Sequence, residues 1–585
     1  MTIGVVLSGD QTVGRFGRYL AEILRAEGMV DHEILDLSDE NLGGLARYDL
    51  VLVARIRPTK AQVGRLLDYA AAGGRVILVR PSPLLARTLG LVSTHTMVAP
   101  AYVRPGTASP LGSGVPQEPI ETHVPADAYA PDALPDGAVT VARLQADART
   151  PTAFPAVVEL PYGAGRVVVF TYDLPHAVAL IRQGDPARIG GHGLGAGEPY
   201  RIQDLLTGFA DPRCWHLPQA DIHAMLLGNA VNHLARHPQP RWWYYPTPEL
   251  RSVLVLDSDD DWSEPEHFDA LIDAVESHGG QVTIYLMSGT TRGTVATKER
   301  VARWRERGHS FGIHHDPSDP AYGGEDQEEI LPEVVRKDVR EFAEVYGGVP
   351  ATNRNHCAVW KGYADLPKLY AELGIDMDLN SMNAGPSWLA YLTGSARPMR
   401  FVDADGTVID CFQQATQAYD DLSVKELLTA DPLGQANLTR RLMEDKLDRY
   451  FSPLSMLSHP VSFATYSSTY MHRCWTSARE LGMPIWSAFA WAEFTRARDA
   501  ARIHDTRWEG ETFSYQVTGR SPAGGLTVVL PVPLTRVHEA LVDGEPARIG
   551  GLEMFGWPSV LVHVELDPGD DRTRHLSLTL HPDAS

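Results

Sequence analysis

The chain has 585 residues, 52 Lys+Arg against 74 Asp+Glu, and a formal net charge of −22 at pH 7. Hydrophobic residues at 44% and charged residues at 22% are ordinary for a globular protein, and the length suggests about three or four domains. The charge argues against a nucleic-acid partner, which needs a basic face. No apolar run reaches the roughly 18 residues of a membrane span.

The opening segment, Met1 to Asp10, lacks a basic region and a long apolar core, so it reads as a first strand and not a leader. Cys214, Cys357, Cys411 and Cys474 are far apart and form no CxxC pair, a usage that favours free thiols. Together these features predict a cytoplasmic protein with no membrane partner.

Strands are predicted at Ile3–Leu7, His32–Leu37, Leu50–Ile56 and Arg75–Arg80. A helix pattern runs through Phe16, Leu20, Ile23 and Leu24, and another covers Lys60–Ala72. This alternation implies a parallel sheet with helical crossovers. From Ala99 to Pro155, Pro, Ala, Gly and Ser dominate, and a loop-rich excursion is expected. Ala156–Leu160 and Arg166–Tyr172 flank a Gly-containing turn and read as a hairpin. Ile222–Leu234 is a helix. The aromatic run Trp242-Trp243-Tyr244-Tyr245 after a Pro-rich stretch reads as linker packing at a boundary.

Residues 1–240 thus form a first unit. Two segments, RYDLVLVARIRPTKAQVGRLLDYAAAGGRVILVR and YGAGRVVVFTYDLP, resemble class I glutamine-amidotransferase-like domains, which implies a doubly wound sheet. Amidotransfer needs a nucleophilic Cys on a strand-to-helix elbow. The first Cys is Cys214, far beyond any such elbow, so a scaffolding, substrate-rim or oligomerisation role is expected, and a homo-oligomer is consistent with it.

Between 248 and 500, strand and helix patterns alternate again. Strands are expected at Ser252–Leu256, Gln281–Leu286, Ser310–His314 and Gly374–Asn380, and helices at Pro265–His278, Lys298–Arg307, Pro332–Tyr346 and Tyr363–Leu373. About 250 residues of such repeats suit an α/β barrel, with chemistry at the carboxyl ends of the strands. From 505 to 585, short strands at Thr512–Thr518, Gly525–Leu530, Arg536–Val542, Val560–Leu566 and Leu576–Leu580 predict a β-sandwich.

Five segments of the middle unit could carry chemistry. Asp257, Asp259, Asp260 and Asp261 follow one strand, and like charges this close raise the pKa of one or more of them unless a cation compensates. His314 and His315 close another strand, where alternation sends them to opposite faces. Arg354 and His356 share a face if their stretch is extended. Asp376 and Asp378 follow a helix, and His459 ends an apolar run.

In combination, GHSFGIHH, NRNHCAVWKGYADLP, LGIDMDLN and LGMPIWSAFAWAEF resemble the polysaccharide deacetylase (NodB homology, carbohydrate esterase family 4-like) superfamily. The resemblance implies a (β/α)7 barrel and a divalent metal, zinc being the expected ion. It places a general base on Asp259, oriented by Arg354, and a general acid on His459. The metal ligands it implies are Asp260, with Asp257 as the alternative carboxylate, and His314. The family's second His ligand falls on Ser318, a departure that His356, His315 or Asp316 would have to make good, with His356 favoured. Asp257, Trp262, His315, Trp360 and Asp378 are the expected substrate-binding residues, and the expected partner is a carbohydrate.

The reaction so implied is removal of an acyl (N-acetyl) group from a sugar or oligosaccharide. Two alternatives stay open: a metal-independent glycosidase or lyase using the acidic strand end with Asp376 or Asp378, and a non-catalytic carbohydrate-binding protein.

Overall fold

The computed structural model describes residues 3–581 except 194, 196, 288, 292 and 384–388. Ile3–Leu7, Leu50–Val53 and Arg75–Val79 are wholly or almost wholly buried apolar runs, as strands covered on both faces must be. They pair in parallel in the order His32–Asp36, Ile3–Leu7, Leu50–Val53, Arg75–Val79, Gly165–Phe170. Gly17–Ala26 and Lys60–Ala71 are crossover helices, the second opened by a Thr59/Gln62 capping box.

The segment from 99 to 155 departs from the loop-rich expectation. Tyr102–Pro105, Ile120–Glu121, Val139–Asp147 and Thr150–Tyr162 extend the sheet to nine strands by antiparallel pairing. The prolines sit where the register shifts: the Thr150–Tyr162 ladder is irregular around Pro151 and Pro155, and bulges tolerate a missing N–H. Cys214 lies in a short turn with its thiol buried. Burial pushes that thiol up to about 12, so it is no nucleophile.

The second large sheet has ten strands. Its order is Met399–Val402, Val408–Gln413, Met377–Asp378, Thr352–Asn355, Ser310–His315, Thr283–Leu286, Leu254–Asp259, Leu454–Ser458, Ala418–Tyr419, with Ile485–Ser487 also on Leu254–Asp259. All pairings are parallel except the hairpin of the first two strands. Among the described residues the ladder stays open, a half-barrel where a closed barrel was expected. Its flanking members Met377–Asp378 and Ala418–Tyr419 are only two residues long, and the hairpin takes up one edge.

Carboxyl-terminal residues form two antiparallel sheets. One contains Arg502–Glu509, Thr512–Thr518, Thr573–Leu580, Val537–Val542 and Glu545–Pro546, and the other Gly525–Leu530, Trp557–Glu565 and Ile549–Met554. Arg241–Trp242 adds a strand to the second, pairing with Val528 and Val529. The aromatic run Trp242 to Tyr245 is buried throughout, so it is a packed joint. No helix is long and apolar enough to cross a membrane among the described residues.

Candidate active site

The strand Leu254–Asp259 is central to the half-barrel, and alternation along it separates its carboxylates. Asp257 and Asp259 face one way, Ser258 and Asp260 the other. Asp260 does not take the ligand position expected of it. Its Oδ1 accepts from Ser263 N at 3.1 Å and its Oδ2 from Met287 N at 3.2 Å. Burial pushes it up to about 6, against these hydrogen bonds. It fastens the turn that follows the strand.

That turn carries Asp261 and Trp262 in the left-handed region, at φ 42° and 56°. Neither is glycine, and each costs of order 1–3 kcal/mol there. The turn swings Asp261 back over the strand end, where its Oδ1 lies 3.4 Å from His314 Nε2. His314 Nδ1 is 3.2 Å from the Arg354 carbonyl, which leaves Nε2 directed at Asp261.

His315 turns the opposite way, fully buried against Asp338 Oδ2 at 3.0 Å, and takes no part in the pocket. His356 enters from the next strand end. Its Nδ1 is held by Asp316 Oδ1 at 3.1 Å, its ring stands edge-on to Trp262 at 5.3 Å and to His314 at 5.4 Å. Ser318, where a second ligand His was expected, donates its N (2.9 Å) and Oγ (2.6 Å) to the same Asp316 Oδ1. It braces the carboxylate that orients His356.

Asp261, His314 and His356 each offer a ligating atom, all within 4.8 Å of one another. Asp261 Oδ1 and Asp259 Oδ1 are buried without a hydrogen-bond partner. Two imidazoles and a carboxylate, with an unsatisfied oxygen between them, form a donor set that fits a zinc-like ion with an open position. Without the ion, protons balance the acids. Burial disfavours charge on His356, yet Asp316, Cys357 and Asp261 raise it to about 11. Burial also raises Asp261, but His459, His314 and His356 overrule it and hold Asp261 well below the carboxylate range.

Arg354 is buried and serves Asp257 before Asp259. Its Nη2 and Nε donate to Asp257 Oδ2 at 2.5 and 3.2 Å, and Nη2 also donates to Thr416 Oγ1 at 2.9 Å. Asp259 Oδ1 lies 3.5 Å from Nε. Burial raises Asp257 to about 6 despite the guanidinium. Across the pocket, His459 Nδ1 is 2.8 Å from Asp420 Oδ1. Its Nε2 lies 3.7 Å from Asp261 and 3.9 Å from Asp259. Burial opposes charge on this ring, but Asp261, Asp420 and Asp259 raise it to about 10.

These groups line a cavity of about 360 Å³ whose wall includes Asp259, Asp261, His314, Arg354, His356 and His459. Trp360 is outside it, stacked on Phe401 in the core. Asp378 is likewise buried, bound to Asn380, and raised by burial to about 7. Asp376 pairs with Arg496. Neither carboxylate lines the cavity.

The sequence did not single out Asp261 as the candidate metal-cluster carboxylate, Asp316 as a brace for His356, Asp420 as a brace for His459, or two cavity residues from the amino-terminal part, Arg201 and Gln203. Asp316, beside the His-rich motif, was named there as a possible ligand, and Asp420 was detectable as a carboxylate at a strand end. Arg201 and Gln203 had no signal, since only the tertiary fold brings them here.

No family model matches the chain, and no curated protein matches it. Among solved structures, a polysaccharide deacetylase-like protein from Mycobacterium smegmatis is similar at 16% identity over 45% of this chain and 97% of that one, with a TM-score of 0.32. A polysaccharide deacetylase from Bacillus cereus is 13% identical over 40% of this chain and 91% of that one, TM-score 0.26. A β-galactosidase from Rahnella sp. R3 is 16% identical over 30% of each chain, TM-score 0.22. The chain thus spans about a third of the length of that glycosidase. At these scores the likenesses carry no argument about chemistry.

Proposed function

We propose that this protein is a metal-dependent hydrolase that removes an acyl group, N-acetyl above all, from a sugar or oligosaccharide. The observation that carries the reading is the convergence of Asp261, His314 and His356 within 4.8 Å at the mouth of the half-barrel. Asp259 and His459 flank them on the same cavity wall.

A divalent ion such as zinc, when bound, would polarise the acyl carbonyl and lower the pKa of a water. Asp261, His314 and His356 would hold it. Asp259, which lines the cavity, accepts the proton of the attacking water. Arg354 holds Asp257 by two hydrogen bonds and lies 3.5 Å from Asp259 Oδ1. His459, protonated and fixed by Asp420, gives its proton to the leaving amine or alcohol.

The test is elemental analysis of protein reconstituted with zinc and gel-filtered. About one ion per chain is expected, lost in Asp261→Ala and His314→Ala and kept in Asp260→Ala. Asp260→Ala instead lowers stability by about 2–4 kcal/mol, because two buried N–H groups lose their acceptor. Failure to bind zinc, cobalt, nickel or manganese would overturn the metal reading. Loss of metal in Asp260→Ala but not in Asp261→Ala would overturn the ligand assignment.

A further inference from the structure

The cavity wall is not made by the half-barrel alone. The stretch from Tyr200 to Leu205, within the amino-terminal part, is laid against the loop that follows His356. Trp360 N donates to the Tyr200 carbonyl at 2.9 Å, and Tyr200 OH donates to the Gly362 carbonyl at 3.0 Å. Tyr200 N donates to Glu328 at 2.6 Å, and Arg201 forms a β-bridge with Val359. Asp204 accepts from Arg201 N at 2.9 Å and closes the turn. This anchoring fixes the backbone from which Arg201 and Gln203 reach the cavity.

Both side chains bring unused hydrogen-bonding atoms. Gln203 is only 5% exposed and its Oε1 has no partner. Arg201 Nη2 donates to Glu198 at 2.9 Å, while its Nε is buried and unpartnered. A buried polar atom left unpaired costs about 1–3 kcal/mol. Two residues that line the cavity thus carry an unpartnered acceptor and an unpartnered donor, a combination complementary to a ligand that offers a donor and an acceptor together. Hydroxyl groups do so. The volume, about 360 Å³, lies at the small end of ligand sites, which suits a single sugar ring.

We propose that Arg201 and Gln203 are specificity-determining residues that hold hydroxyl groups of the non-reacting part of a monosaccharide-sized substrate unit. The inference rests on the carbohydrate reading above and deepens it. The amino-terminal part then has a task despite lacking a nucleophile: it builds the side of the site opposite the chemistry.

The experiment uses the full chain with N-acetyl-D-glucosamine, its β-1,4 dimer and D-glucuronate as probes. Binding is followed by titration calorimetry with and without zinc. Gln203→Met and Arg201→Lys, both close in size to the native residue, are compared with the wild type, and melting temperatures confirm that they fold. The expected result is saturable binding of at least one sugar by the wild type, weakened at least about tenfold in each variant, with zinc stoichiometry unchanged. Variants that bind the sugar as the wild type does would overturn the proposal, and so would a wild type that binds none of the three probes. Zinc uptake separates the two readings: zinc bound without sugar defeats this inference alone, while sugar bound without zinc defeats the metal reading and leaves this one standing.

Discussion

At the scale of single residues, the departure from the expected motif at position 318 leaves a candidate metal cluster of Asp261, His314 and His356 in place. Ser318 stands where a His was expected and acts one step further out, through Asp316 to His356. Groups in that outer position commonly change metal affinity 10–100-fold. Ser318→Ala is therefore expected to weaken zinc binding about tenfold in a chelator competition, with stoichiometry kept; an unchanged affinity would mean that Asp316 is held without it. A second residue-scale expectation concerns His223. Its Nε2 meets the Glu121 carbonyl at 2.8 Å and its Nδ1 the Tyr172 hydroxyl at 2.9 Å, so the neutral ring is fully satisfied. Burial lowers it to about 4, the Glu121 carbonyl opposing. The unfolded chain protonates at its ordinary value near 6.5 and so binds the proton first. The stability held by neutral His223 is therefore full above about pH 6.5 and falls as pH drops towards 4. Between pH 7 and 4.5 this is about 2–3 kcal/mol at about 1.4 kcal/mol per pH unit. In urea unfolding, His223→Gln is expected to lose less stability over that interval than the wild type, and parallel slopes would refute it.

At the scale of elements, legibility followed the strength of the periodic signal. Ile3–Leu7, Thr512–Thr518 and Gly525–Leu530 lie where alternation or continuous burial puts them, because their apolar atoms have one place to go. The strands between 99 and 155 were hidden by prolines at their irregular registers, which composition alone reads as loop. Within the site, alternation separated His314 from His315. It did not reveal the left-handed turn at Asp261 and Trp262, a tertiary device that no spacing encodes and that brings Asp261, not Asp260, into the candidate metal cluster. The hairpin between Thr150–Tyr162 and Gly165–Phe170 was legible from its glycines, and Gly163 has a reason to be one. Its φ is +59°, and a Cβ there would sit 2.7 Å from the backbone of Ala71. Gly163→Val is expected to destabilise by more than about 1 kcal/mol, seen as a lower melting temperature. An unshifted one would mean that the helix Lys60–Ala71 yields at no cost.

At the scale of the molecule, the amino-terminal sheet and the half-barrel must be held in register for Arg201 and Gln203 to line one cavity with Asp259, Asp261, His314 and His459. One ionic joint is placed to do this. Asp499, on the helix Ala488–Ala500, accepts from Arg25 Nε and Nη2 at 3.2 and 3.0 Å and from Arg400 Nη1 and Nη2 at 2.9 and 2.6 Å. Arg25 belongs to the helix Gly17–Ala26 and Arg400 to the strand Met399–Val402, so one carboxylate ties three elements that are far apart in sequence. Burial would raise it, but the two guanidiniums hold it down at about 2. Its contribution is therefore complete above the ordinary carboxylate value near 4 and is lost as pH falls towards 2. Asp499→Asn keeps the shape and removes the charge, leaving Arg25 without its carboxylate and Arg400 with only Glu22 and Asp410. Breaking such a pair costs about 3–5 kcal/mol when buried, and this joint is partly open, so about 2–3 kcal/mol is expected. Because the loss falls on the joint and not on either core, calorimetry at pH 7 should show the wild type's heat uptake broaden or divide in Asp499→Asn, with the amino-terminal part melting first. A variant that melts within about 1 °C of the wild type, in the same single transition, would show that the apolar contacts around Trp242 to Tyr245 suffice to keep the wall against the site.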